Sequence, residues 1–208
     1  MASTGGPAKN QDLHGNVPDT ASVALLLIDV INDLEFPGGE LLARHVLPMA
    51  RKIAALKRRA RQAGIPTIYA NDNFGRWRED FRTVVAHCLG DVRGRRMVEL
   101  LEPDADDYFV LKTKHSAFYS TTLDLLLDYL GAKTLILTGV AGNMCILFTA
   151  SDAYMRDFHI MVPADCTASN LVRDNRQALA IIENVLKADT TRSTELDLEA
   201  LKQGKRKA

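Results

Sequence analysis

Charge of one sign is what this chain has no excess of: 26 lysines and arginines stand against 26 aspartates and glutamates. Without a net field there is no general attraction to nucleic acid or to an anionic membrane surface, and neither is expected as a partner. Long apolar runs are missing as well. None approaches the ~20 residues needed to cross a bilayer. Residues 1–19 are polar, with glycine, proline and asparagine where a signal peptide would carry its apolar segment. Cysteine is scarce: Cys88, Cys145 and Cys166 are odd in number and show no CxxC spacing. That argues against a disulfide framework and for a reducing compartment, so the cytoplasm is the expected location. The histidines are scattered, with no HxH or HExxH pair, and no GxGxxG or phosphate-binding loop occurs. No metal and no cofactor are expected.

What is present is an alternation. The run VALLLI at 23–28 is apolar on both faces, as a central strand of a parallel sheet must be. Further strands are expected at 65–70, 108–111, 134–137 and 159–162, with a short last one at 188–191. Between them fall helical stripes. Pro48 suits the first turn of a helix whose apolar side is Ile53, Leu56, Ala60 and Ala63, stopped by Gly64. Val84, Val85, Cys88 and Leu89 share a face. Leu123, Leu126, Leu127 and Leu130 form another, ended by Gly131, and Ile146, Thr149, Ala150 and Ala153 a third. Asp174 is expected to cap a helix carrying Ala178, Ile181, Ile182 and Val185. Strand–helix alternation of this kind means right-handed crossovers and a mostly parallel sheet covered on both faces. The reading is one α/β domain over 21–199, a disordered N-terminal segment over 1–20 and a charged tail over 200–208.

Reactive side chains stand at the carboxyl ends of three of these strands. Asp29 follows the first, Lys112 follows the run YFVL at 108–111, and Cys145 lies in the helical turn after TLIL at 134–137. Ligands of open α/β sheets bind beyond those ends. Taken singly, Asp29 reads as a turn residue, Lys112 as a solvated loop charge and Cys145 as packing at a strand–helix joint. Taken together they are a base, a cation and a nucleophile. A helix N-terminus should also ease loss of the thiol proton. Cys88 beside His87 reads as packing, because neighbours on a helix do not face each other, and Cys166 reads as core.

The stretches LLIDVIND at 26–33, KTKHSAF at 112–118 and TGVAGNMC at 138–145, with VPADCTA at 162–168, resemble the isochorismatase-like superfamily of cysteine hydrolases. The resemblance covers roughly residues 22–195. It implies a Rossmann-like three-layer α/β/α sandwich with a mostly parallel sheet, and an Asp29-Lys112-Cys145 catalytic triad. It further implies a cis peptide at Val140–Ala141 and an oxyanion hole from the N–H groups of Ala141 and Cys145. The activity implied is cleavage of a C–N bond in a small amide, carbamoyl or ureido compound through a thioester, with Asp29 as the base of both half-reactions. Homo-oligomers, dimers or tetramers, are common in that superfamily and are expected here. Two departures stand out. Ile31 occupies a position where the superfamily often has glutamine. Asp72, Asn73 and Phe74 replace the metal-binding D-x-H of nicotinamidases, so neither zinc nor nicotinamide is expected. Phe36, Trp77 and Tyr119, in loops at the same sheet edge, are the candidate pocket walls. The rival readings are a binding or scaffold protein on the same fold, and a thiol redox sensor.

Overall fold

The computed structural model describes residues 19–75, 77, 78 and 80–204. The expected disorder over 1–20 therefore falls almost wholly outside the described residues. Asp19 is within them, and its carboxylate accepts a hydrogen bond from the Tyr108 hydroxyl at 2.6 Å.

The elements run β1 (Val23–Ile28), α1 (Gly39–Gln62), β2 (Thr67–Asp72), α2 (Phe81–Cys88), α3 (Arg95–Leu100), β3 (Tyr108–Lys112) and α4 (Leu123–Leu130). They continue with β4 (Thr134–Val140), a π-helical turn (Gly142–Ile146), α5 (Leu147–Tyr154), β5 (His159–Met161), β6 (Thr167–Ala168), α6 (Val172–Asn184) and α7 (Leu198–Lys202). The sheet order is β3-β2-β1-β4-β5, with β6 pairing the far end of β4, and every pairing is parallel. From β1 the chain winds outward to β2 and β3, then returns to β4 on the other side. The direction of winding thus reverses between β1 and β4, which is where a doubly wound sheet opens a crevice.

All six residues of β1 are buried, and its alternate side chains feed two separate cores. Val23, Leu25 and Leu27 pack with Leu42, Ile53 and Leu56 of α1, Val84 of α2 and Met97 of α3. Ala24, Leu26 and Ile28 pack with Leu127 of α4, Ala150 of α5 and Ile182 of α6. Each large aliphatic side chain taken from water contributes about 1.5–3 kcal/mol, so a strand lined on both sides anchors both layers. This is a three-layer α/β/α sandwich. At the switch point the backbones come very close. A Cβ on Gly139, which has φ +118°, would lie 2.0 Å from the Ile28 carbonyl oxygen, so only glycine fits.

Several expected boundaries move. Helix α1 begins at Gly39, nine residues before Pro48, which lies in its interior. A proline there removes one helical hydrogen bond. The stripe Leu42, Val46, Met49 and Ile53 runs through it into the core, and that burial outweighs the loss. Strand β4 continues through Gly139 to Val140, because β6 pairs with Gly139 and Val140. Helix α6 starts at Val172, so Asp174 lies in its first turn and does not cap it. The last expected strand is a single bridge between Met161 and Asp189. The tail expected from 200 begins inside α7, whose Leu198 is buried against the α1 core. Residues 205–208 lie outside the described residues. No helix among the described residues is long and apolar enough to cross a membrane.

Candidate active site

Asp29 is the first residue past β1, with φ +52°, and its N–H still donates to the Ala70 carbonyl at 3.1 Å. Lys112 closes β3 in register with Asp72 of β2. Strand β2 lies between β3 and β1, and the four-carbon stem of Lys112 bridges it. Its ammonium meets Asp29 Oδ2 at 2.8 Å and Cys145 Sγ at 3.4 Å, and donates to the Lys114 carbonyl at 3.1 Å. Three donors thus find three acceptors. Asp29 Oδ1 accepts the Asp72 N–H at 2.7 Å, and the carboxylate also accepts a hydrogen bond from the Cys145 thiol. The structure therefore brings together the three residues singled out from the sequence.

Their exposures differ in a way that matters for chemistry. The Lys112 side chain is sealed, at 0% exposure, and that of Asp29 is at 7%. Cys145 is half-buried and forms the outer face of the cluster. Burial pushes the Asp29 carboxyl above its ordinary range; the Lys112 ammonium and the hydrogen bonds from Cys145 and Asp72 pull against that. Burial alone would depress Lys112, but the Asp29 charge outweighs it and the amine is held above its usual value. The Cys145 thiol is pushed up to about 12, first by burial and then by the neighbouring Asp29 charge, with Lys112 opposing. This reverses the expectation drawn from the helix terminus. Burial and the carboxylate that the fold brings up from another strand outweigh the helix terminus. At rest the thiol keeps its proton and shares it in a hydrogen bond with Asp29.

Cys145 lies in the π-helical turn, and the Val140–Ala141 peptide before that turn is cis. The Met144 and Ile146 N–H groups both donate to the Ala141 carbonyl, at 3.0 and 3.2 Å. Asn143 N–H donates to Ser169 Oγ at 3.2 Å, and Ser169 Oγ–H donates to Asn175 Oδ1 at 3.1 Å. A Cβ on Gly142 would fall 2.0 Å from that same Asn175 oxygen. Helix α6 therefore fixes the turn from behind.

Other contributors were not singled out from the sequence. Asn71 is fully buried at the end of β2. Its Oδ1 accepts the Ile31 N–H at 3.0 Å and its Nδ2 donates to the Ile31 carbonyl at 2.9 Å, clamping the chain two residues past Asp29. Ile31 itself is buried in the α1-side core. His115 lies in the loop after β3, with Nδ1 3.9 Å from Cys145 Sγ and its ring 5.4 Å from that of Phe148. The only hint in the sequence was its place inside the KTKHSAF stretch.

Phe36, Trp77 and Tyr119 are 37%, 77% and 59% exposed, on the three loops where they were expected. The oxygens next to the position of the D-x-H motif serve the loop itself. Asp72 Oδ1 accepts the Phe74 N–H at 2.7 Å, and Asn73 Oδ1 the Gly75 N–H at 3.0 Å. Among the described residues no group of three His, Cys, Asp or Glu side chains is placed to hold a metal. Cys88 and Cys166 are buried. His87 Nε2 meets Asp33 Oδ2 at 2.9 Å.

Comparison with known proteins places this chain in a family. The Isochorismatase domain model matches residues 23–194. The chain is 46% identical to YaaI of Bacillus subtilis (strain 168), an isochorismatase family protein, over 82% of this chain and 94% of that one. It is 29% identical to the ureidoacrylate amidohydrolase RutB of Methylobacterium radiotolerans, over 79% and 74% of the two chains. Among solved structures, an isochorismatase family protein from Desulfovibrio vulgaris superposes with a TM-score of 0.69 at 25% identity, covering 88% of this chain and 99% of that one.

Proposed function

Because the chain belongs to the isochorismatase family, and because its buried ion pair touches a thiol, we propose that it is a cysteine hydrolase cleaving a C–N bond in a small amide, carbamoyl or ureido substrate. The observation that carries this reading is the Lys112 ammonium between Asp29, at 2.8 Å, and Cys145, at 3.4 Å. Isolated from water, such a pair is expensive to maintain, and its position beside a half-buried sulfur gives it a chemical use.

The proposed steps use these contacts. Asp29 accepts the thiol proton as Cys145 Sγ bonds to the substrate carbonyl carbon. Lys112 stabilises both the carboxylate and the emerging thiolate by charge. The oxyanion rests on the N–H groups of Ala141 and Cys145, as the family resemblance implies; those of Asn143, Met144 and Ile146 are engaged within the turn and with Ser169. Asp29 returns its proton to the leaving nitrogen, the C–N bond breaks, and a thioester remains for water to cleave. Phe36, Trp77 and Tyr119 wall the pocket from the surrounding loops. A thiol that keeps its proton at rest needs the base beside it to become a nucleophile, whereas a redox sensor needs standing thiolate. The protein acts in the cytoplasm on a small molecule, as a homo-oligomer and without a metal. Two relatives guide the choice of substrates: the RutB protein is named for ureidoacrylate, and a nicotinamidase of Bacillus subtilis shares this fold at 26% identity with a TM-score of 0.63.

The test is a panel of amides, ureas and carbamoyl compounds, ureidoacrylate among them, assayed for release of ammonia or amine. The wild type turns over at least one compound, and Cys145→Ala turns over none while keeping its circular dichroism spectrum. Hydrolysis by Cys145→Ala at the wild-type rate overturns the reading.

A further inference from the structure

We infer that Ser169 and Asn175 are positioning residues for the reaction: a hydrogen-bonded chain through them holds the nucleophile turn so that the Ala141 and Cys145 N–H groups face the oxyanion. The inference rests on the cysteine-hydrolase reading above and adds to it two residues that lie behind the turn.

The chain of bonds runs in one direction. A backbone N–H can only donate, so Ser169 Oγ accepts from Asn143 at 3.2 Å. Ser169 is buried, at 1% exposure, and its single hydroxyl proton goes to Asn175 Oδ1 at 3.1 Å. That leaves Asn175 Nδ2 to donate to Thr167, whose Oγ1 is at 3.3 Å and whose carbonyl is at 3.5 Å. Thr167 stands in β6, in register with Gly139 of β4. The contacts therefore close into a ring. Strand β4 leads into the turn, Asn143 leads out of it through Ser169 and Asn175 to Thr167, and Thr167 returns to β4. A polar network whose members are all satisfied rigidifies what it joins.

The place of this ring in the turn gives it a use. Asn143 lies midway between Ala141 and Cys145, the two residues whose N–H groups receive the oxyanion. The Met144 and Ile146 N–H groups return to the Ala141 carbonyl at 3.0 and 3.2 Å. Those bonds shape the turn, but both of their ends lie within it. The Asn143 bond ties the turn to a residue 26 positions further along the chain. Gly142 completes the fit: a Cβ there would lie 2.0 Å from Asn175 Oδ1 and 3.2 Å from Ser169 Oγ, so both side chains bear on the turn backbone itself. Without them the turn can shift against the sheet. Oxyanion donors work only at about 2.7–3.1 Å from the developing charge, and a misplacement of about 1 Å can cost about 100-fold in rate.

Two reagents separate positioning from the reactivity of the sulfur. p-Nitrophenyl acetate acylates Cys145 through an oxyanion, while iodoacetamide alkylates the same sulfur by displacing iodide, with no oxyanion formed. The nitrophenolate burst and the alkylation rate, each confirmed by the mass of the Cys145 peptide, are measured for wild type, Ser169→Ala, Asn175→Ala and the double variant. Both single variants should acylate about 10–100-fold more slowly and alkylate within about twofold of the wild type. The double variant should lose no more than the larger single loss, because one chain is broken only once. A merely structural role would slow both reagents together. Acylation at the wild-type rate in both single variants, equal losses with the two reagents, or losses that multiply in the double variant overturn the inference. Should Ser169→Ala not fold, Asn175→Ala carries the same comparison, since Asn175 is half-buried on α6 and breaks the same chain. If iodoacetamide labels Cys145 of the wild type but p-nitrophenyl acetate leaves no acetyl group on it, the cysteine-hydrolase reading falls and this inference falls with it.

Discussion

Removing the buried cation is the most informative perturbation of this structure. Lys112→Met keeps most of the stem and deletes the charge, leaving Asp29 without its partner at 2.8 Å. At an effective dielectric of ~20, two unit charges at that distance attract by about 6 kcal/mol. Breaking one side of a buried pair costs about 3–5 kcal/mol in practice. The carboxyl responds by holding its proton. Burial already raises Asp29 against the pull of Lys112, so losing that pull raises it further. The cost of the stranded charge appears as that further rise. The sign of the pH dependence follows. A group with a folded pKa above its unfolded value of about 3.9 binds more protons when folded. The penalty is then absent below about pH 3.9, grows as pH rises, and is complete above the folded value. Urea unfolding of wild type and Lys112→Met should therefore differ by about 3–5 kcal/mol at pH ~8 and by about 2–3 kcal/mol less at pH ~5. Adding Asp29→Asn removes the stranded charge and should restore most of the loss at the higher pH. Equal losses at both pH values, with no rescue by Asp29→Asn, would show that the pair is not coupled as described.

Other expectations follow from single contacts. Asp29→Asn removes the negative charge beside the thiol, so Cys145 should ionise at lower pH than in the wild type, where it is pushed up to about 12. Thiolate ultraviolet absorbance, with Cys145→Ala as the blank, reads this directly; an unchanged or higher pKa contradicts it. In kcat/KM against pH, the acid limb should lie above the ordinary aspartate value of about 3.9, because burial raises Asp29 and its ionised form is the one required. A limb at or below that value refutes the assignment. Asn71→Leu deletes the clamp on Ile31 and should cost about 2–4 kcal/mol in urea unfolding, from two lost buried hydrogen bonds and the backbone groups left unpaired. It should also lower kcat/KM by releasing the chain beside Asp29. Gly139→Ala puts a Cβ 2.0 Å from the Ile28 oxygen and should cost more than about 3 kcal/mol or prevent folding. Near-wild-type stability would mean that β1 and β4 are further apart than described.

Much of this was legible in the sequence because of where the strands lie. A strand buried on both faces, such as VALLLI at 23–28, must be apolar throughout, so its end at Asp29 is visible as the first polar residue. Lys112 is the first polar residue after the apolar run YFVL, although β3 is an edge strand with Phe109 exposed, and Cys145 lies in the turn five residues past the end of β4. The start of α1 was not legible, because Gly38 opens it in a left-handed conformation with no side-chain cap and Pro48 falsely suggested a beginning. The Asn71 clamp and the His115 contact are tertiary. Each joins residues 30 or more positions apart, and no local period announces either. The protonation of Cys145 is likewise set by tertiary contacts. Its own turn suggests thiolate, while burial and a carboxylate from another strand decide for the thiol.

The central claim is that Cys145 forms the covalent bond to substrate. It is tested most directly by acid-quenching the wild-type protein during turnover of the best compound from the amide and ureido panel, then mapping the peptides by mass. An acyl group of the substrate's mass on Cys145, absent from Cys88, from Cys166 and from the Cys145→Ala variant, is the expected result. Steady hydrolysis with Cys145 unmodified at every quench time, and undiminished when Cys145 is replaced, would contradict it.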